Sequence, residues 1–135
     1  MTEPVLLVES DDGIGRISFN RPRQLNAYNN ELMEAAITAV DDLNADGVTR
    51  VIVVSGEGRA FSAGFDLKAA SERQLAGHED WRRQLELQFD FIMRFWNSPV
   101  PTIAAVHGYC LAGAFEVSLA CDMTIAADDA TFGEP

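Results

Sequence analysis

Cysteine is nearly absent from the chain. Cys110 and Cys121 are the only two; they lie eleven positions apart, form no CxxC pair, and have no histidine at ligand spacing. That excludes a disulfide framework and argues against a structural metal site, so no metal is expected. Two thiols in an acidic chain suit a reducing compartment, and a cytoplasmic protein is expected. Basic residues are also few, 10 Lys and Arg against 21 Asp and Glu, for a net charge of −11. A nucleic-acid footprint needs clustered cations, so no nucleic-acid partner is expected. The same imbalance means that an anionic ligand must be met by local donors, because the overall field repels it. Long apolar runs are missing: none approaches the roughly 20 residues of a membrane span. Met1-Thr2-Glu3-Pro4 has no basic n-region and Val5-Leu6-Leu7-Val8 is no signal h-region, so no membrane association is expected. Repeats, low-complexity tracts and Gly/Ser linkers are absent too, which leaves one domain in 135 residues.

What is present reads as a globular core, with 47% hydrophobic residues. Val5 to Glu9 and Ile14 to Phe19, joined by the turn Asp11-Asp12-Gly13, predict an N-terminal β-hairpin. From Asn29 to Leu43 the period is helical. Leu32, Ala36, Val40 and Leu43 share a face there, and Asn29 or Asn30 serves as cap. Val51-Ile52-Val53-Val54 reads as a strand buried on both faces. A second helix is predicted from Glu79 to Trp96, its apolar stripe being Trp81, Leu85, Gln88/Phe89, Ile92 and Phe95/Trp96, which we assign to core packing. A strand at 102–106, a helix at 113–120 and a strand at 122–126 complete the series. Strands alternating with helices imply βαβ crossovers, with the strands 51–54, 102–106 and 122–126 parallel.

Two strand-to-helix junctions carry unusual chemistry. Ala60-Phe61-Ser62-Ala63-Gly64-Phe65-Asp66-Leu67-Lys68 has small residues that let another group approach its backbone. Val106 to Glu116 opens a helix at Gly113, where free N–H groups and the helix dipole favour negative charge. In a parallel sheet both junctions lie at the carboxyl ends of strands, where ligands bind. Each alone also reads as an ordinary tight turn.

The string AFSAGFDLK resembles the first oxyanion-hole segment of the crotonase superfamily, and AAVHGYCLAGAFEVSLACDMTIAADDATFGEP resembles its second. Asn20-Arg21-Pro22 and Leu25-Asn26-Ala27 match the family's early N-R-P…x-N-A stretch. The resemblance implies an α/β fold, a crotonase-like spiral of ββα units. Residues 1–135 would be the N-terminal part of its single domain, truncated before the C-terminal helical trimerisation region. It implies an acyl-CoA enzyme, foremost an enoyl-CoA hydratase. The alternatives are an isomerase or other enolate chemistry, or a non-catalytic binding subunit. By the same resemblance Phe65 and Gly113 supply the two oxyanion N–H groups and Glu116 the catalytic carboxylate. Coenzyme contacts fall to Ala63, Phe65, Asp66, Leu67, Lys68 and Gly113. Coenzyme A enters as part of the thioester substrate, no cofactor being bound, and the full-length protein would form a homotrimer or a dimer of trimers.

Other readings of these residues stand beside that one. Glu116 is also a favourable charge in a first helical turn, and crowding by Phe115 and Tyr109 would raise its pKa. Asp66 reads as a loop-ordering Asx residue, and His107 as structural. Lys68, Arg21 and Arg23 are either phosphate partners or solvated charges. The family's second glutamate follows the Pro of an F-G-x-P turn. Here Pro135 is the last residue, so we expect the natural chain to continue with Glu at position 136; Glu134, one place before the proline, is not its equivalent.

Overall fold

A computed structural model describes residues 3–135. The hairpin is formed by β1 (Leu6–Asp11) and β2 (Ile14–Phe19), antiparallel in the register Leu6↔Phe19. Helix α1 (Asn30–Ala45) is capped by the Asn29 side chain, which accepts from the Leu32 N–H at 2.9 Å. Its predicted face, Leu32, Ala36, Val40 and Leu43, is buried. Strand β3 (Val51–Gly56) follows, then the short helix α2 (Leu67–Glu72) and the long helix α3 (Gly77–Trp96). Next come β4 (Thr102–Val106), β5 (Tyr109–Leu111), α4 (Gly113–Ala120), β6 (Met123–Ala126) and β7 (Thr131–Gly133).

The main sheet runs β1-β2-β3-β4-β6, and its β2/β3, β3/β4 and β4/β6 pairs are all parallel, as the βαβ reading requires. After leaving this sheet the chain adds short segments to a second rank. Tyr28 bridges Phe65, Ser62 bridges Cys110, and β5 pairs in parallel with β7. Each turn of the chain therefore contributes one long strand and one short one, which is the spiral predicted. The second rank matters for function because it lays the two unusual junctions side by side.

Two expectations need correction. β3 is fully buried on one face only: Ile52 and Val54 are enclosed, while Val51 and Val53 are partly exposed. The stripe of α3 is only partly the one predicted: Ile92 packs against the core and Phe95 is buried, as expected, but the N-terminal half is turned. Gln84, Phe91 and Phe95 face inward, whereas Trp81 (56% exposed), Leu85 (59%), Phe89 (64%) and Trp96 (64%) face out. The reason is Gln84, which exchanges two amide hydrogen bonds with Asn30 on α1 and so occupies the inward position with its polarity satisfied. Phe91 extends that face, packing edge-on against Tyr28 at 4.8 Å and Phe95 at 5.8 Å.

Candidate active site

The junction after β3 holds a run of backbone N–H groups, and those of residues 61, 62, 63, 64 and 66 are each tied to an acceptor. Phe61 donates to His107 O (2.8 Å), Ser62 to Tyr109 O (3.0 Å), Ala63 to Leu25 O (2.9 Å), Gly64 to Ser62 Oγ (3.0 Å) and Asp66 to Tyr28 O (3.0 Å). The N–H of Phe65 has no partner among the described residues. A single free donor inside a fully bonded loop is held in place by its neighbours, the condition for a preorganised hydrogen bond. Gly64 makes the geometry possible. Its φ is +95°, and a Cβ there would lie 2.7 Å from Leu111 O and 3.2 Å from Gly113 N.

The second junction presents its donor differently. Ala112 donates to Gly133 O at 2.8 Å and adopts φ 52°, ψ −121°, a region costly for a residue with a Cβ. This bend starts α4 at Gly113, whose N–H, as first in the helix, has no intrahelical acceptor and sits at the positive end of the dipole. The two donor residues touch: a Cβ on Gly113 would lie 2.6 Å from Phe65 Cε2. Phe65 in turn stands edge-on to Tyr28, ring centroids 6.1 Å apart.

Glu116 lies one turn along α4, its N–H bonded to Ala112 O (3.1 Å), and its side chain is exposed over much but not all of its surface. Partial burial, then the nearby Glu134 carboxylate, hold its pKa above the ordinary glutamate value. The expected direction stands, and the structure adds Glu134 as a neighbour that raises it. The Phe115 ring is turned onto Phe132 (5.8 Å) and Tyr109 is 49% exposed. The approach of Glu134 comes from the β5/β7 pairing Leu111↔Gly133, which no local pattern in the sequence announces.

Asp66 is the N-cap of α2, accepting from the Ala69 N–H at 2.9 Å, and it pairs with Arg21 Nη1 at 2.9 Å. Burial alone would raise its pKa; the Ala69 and Arg21 hydrogen bonds outweigh that and hold it below the usual carboxylate range. It is thus the loop-ordering residue expected. Arg21 is neither a free phosphate partner nor a solvated charge: besides Asp66 it donates to Ala27 O at 2.5 Å. Lys68 is exposed and borders a hollow of about 630 Å³ with Gln24, Asn29, Ala63, Phe65 and Leu67, while Arg23 borders a different hollow. His107 Nε2 bonds Gly58 O at 2.6 Å, a structural tie. Cys110 and Cys121 are buried, which pushes their thiols up to about 11 and about 12, so both are unreactive. Among the described residues no three His, Cys, Asp or Glu side chains group as a metal site.

Comparison with known proteins agrees with this geometry. The family described as enoyl-CoA hydratase/isomerase matches residues 9–135. The crystal structure of an enoyl-CoA hydratase/isomerase from Xanthobacter autotrophicus Py2 superposes with a TM-score of 0.95 at 51% identity, covering 99% of this chain and 50% of that one. A protein of Mycobacterium tuberculosis named a probable enoyl-CoA hydratase is 37% identical over 100% of this chain and 51% of its own length. The hydroxycinnamoyl-CoA hydratase-lyase of Pseudomonas fluorescens is 38% identical over 93% of this chain and 46% of its own. The chain thus spans about half the length of the curated relatives it matches. With a crotonase-type α/β spiral and a match over nearly its whole length, the chain belongs to the enoyl-CoA hydratase/isomerase family.

Proposed function

We propose that the protein adds water across a 2-enoyl-CoA thioester, holding the enolate oxygen between the N–H groups of Phe65 and Gly113. The observation that supports this reading is the contact between those two residues: the Phe65 ring lies against Gly113, so a tethered loop and a helix start from different turns of the spiral meet, each with a backbone N–H unpaired among the described residues. As water oxygen bonds to C3, the C2=C3 electron pair moves onto the thioester oxygen, where fixed donors are worth most. Glu116 takes the water proton. Its raised pKa makes the carboxylate the stronger base for that step, and the proton it takes then passes to C2 as the enolate collapses, which restores the carboxylate. The coenzyme would lie along Ala63 and Phe65 to Lys68, with Lys68 the cation free for a phosphate, since Arg21 is engaged by Asp66.

Residues 1–135 would be the N-terminal part of a single spiral domain, in keeping with their half-length coverage of relatives. The exposed stripe Trp81, Leu85, Phe89 and Trp96 is an apolar face that the rest of a longer chain or a second copy would cover. A second reading, other enolate chemistry on the same donors, is favoured by the likeness to a hydratase-lyase. Incubation of the intact protein with crotonyl-CoA tests the proposal. Loss of the conjugated absorbance with formation of the 3-hydroxy thioester is the expected result; binding without turnover would overturn hydration in favour of the second reading.

A further inference from the structure

We infer that the segment from Arg21 to Tyr28, with Asn26 at its centre, is the positioning element of the first oxyanion donor. This rests on the enolate-holding reading above and deepens it. The bonds that fix the backbone on both sides of Phe65 come largely from this segment. Leu25 O accepts from Ala63, Tyr28 N–H donates to Gly64 O at 2.8 Å, and Tyr28 O accepts from Asp66. Ser62 Oγ donates to Asn26 O at 2.8 Å while accepting from Gly64 N–H, so one hydroxyl links segment and loop. Phe65 is thereby clamped at the residue before it and the residue after it, with its own N–H left free among the described residues.

Asn26 holds the segment in the required shape. It is fully buried; its Nδ2 donates to Glu57 O (2.8 Å) and Ala60 O (2.9 Å), and its Oδ1 accepts from Arg21 N–H (2.8 Å). Gly56 makes room for it, since a Cβ there would lie 2.8 Å from Asn26 Nδ2. Leu25 and Asn26 have φ of +50° and +55°, consecutive left-handed residues of which neither is glycine. Such a backbone persists only where surrounding bonds over-determine it, and the amide of Asn26 makes those bonds. Aspartate at 26 would keep the shape but replace the Nδ2 donors with a carboxylate facing two carbonyls. Ser62→Ala is the milder cut, removing only the hydroxyl link.

The test compares Asn26→Asp and Ser62→Ala with Asn44→Ala in the intact protein. Asn44 is a control because it makes a comparable set of bonds, to Val40, Ser98 and Val100, near the C-terminal end of α1. Crotonyl-CoA turnover, thermal melting and the red shift of bound 4-dimethylaminocinnamoyl-CoA, whose absorbance reports polarisation of the thioester carbonyl, are measured for each. Both site variants should lose roughly 10- to 100-fold in kcat, the scale of a misplaced catalytic group, with KM little changed and the red shift reduced. Asn44→Ala should lower the melting temperature and leave kcat and the red shift alone. If Asn26→Asp does not fold, Ser62→Ala decides. Unchanged kcat and red shift in a folded Ser62→Ala variant, or equal losses in Asn44→Ala, would overturn the inference. No red shift in the unaltered protein would instead remove the enolate-holding reading beneath it.

Discussion

Replacing Gly113 by alanine places a Cβ 2.6, 2.9 and 3.0 Å from Cε2, Cδ2 and Cζ of the Phe65 ring. Carbon atoms rest at about 3.5 to 4.0 Å, so the ring or the helix start must move by about 1 Å. The ring cannot retreat freely, because Tyr28 stands edge-on behind it and the Phe65 backbone is held at Gly64 and Asp66. The strain therefore falls on the relative placement of the two donors. Overpacking of this kind costs about 1–3 kcal/mol of stability, and a shift of that size in a catalytic group costs about 10²-fold in rate. We expect Gly113→Ala to lose about 10²-fold in kcat for crotonyl-CoA in the intact protein. Phe65→Ala in the same chain removes the clash while keeping the Phe65 position's N–H, and should recover most of the loss. A Gly113→Ala protein with unaltered kcat, or a double variant no better than the single one, would refute the claim that the two residues form one unit.

Three further expectations follow from the site. Ala112→Gly relieves a Cβ at φ 52°; the relief of about 1–3 kcal/mol exceeds the backbone-entropy cost of glycine, about 0.5–1 kcal/mol, so denaturant unfolding should show a more stable protein. Tyr28→Phe removes a buried hydroxyl that has no hydrogen-bond partner of good geometry among the described residues; stability should be unchanged or higher by about 1 kcal/mol, and a loss beyond about 1 kcal/mol would show that the hydroxyl is satisfied, with Ser62 the nearest candidate. Glu116 must be ionised to act as base, and its pKa is raised, so the acid limb of kcat/KM should lie above the ordinary glutamate range. Glu134→Gln removes the second raising cause and should shift that limb to lower pH.

The sequence was most legible where local pattern and tertiary demand coincide. The Asn29 cap, the α1 face and the parallel β3/β4/β6 core could be read directly, because capping, a 3.6-residue period and β-branched runs have one structural meaning there. The face of α3 could be read only at its C-terminal end, at Ile92 and Phe95. Two stripes compete over the same helix, and the choice was decided by a Gln84–Asn30 amide pair across 54 positions. At the site, the family resemblance pointed to Phe65, Gly113 and Glu116, and the structure brings Phe65 and Gly113 into contact. It also shows partners the sequence could not reveal. Arg21 looked like a spare cation until the fold set Asp66 beside it, and Glu134 came near Glu116 only through the second rank of short strands. Asn26 stood out by resemblance alone; its role comes from three hydrogen bonds to distant residues, including the one its own carbonyl accepts from Ser62, and one to the nearby Arg21 N–H.

The most direct test of the central claim is Glu116→Gln in the intact protein, assayed for hydration of crotonyl-CoA. Glutamine keeps size and hydrogen bonding but cannot take the water proton. The account predicts a loss of roughly 10²–10⁴-fold in kcat with acyl-CoA affinity little changed, because backbone donors and the coenzyme contacts hold the thioester. Hydration near the unaltered rate would contradict it, reducing Glu116 to a charge at the start of a helix.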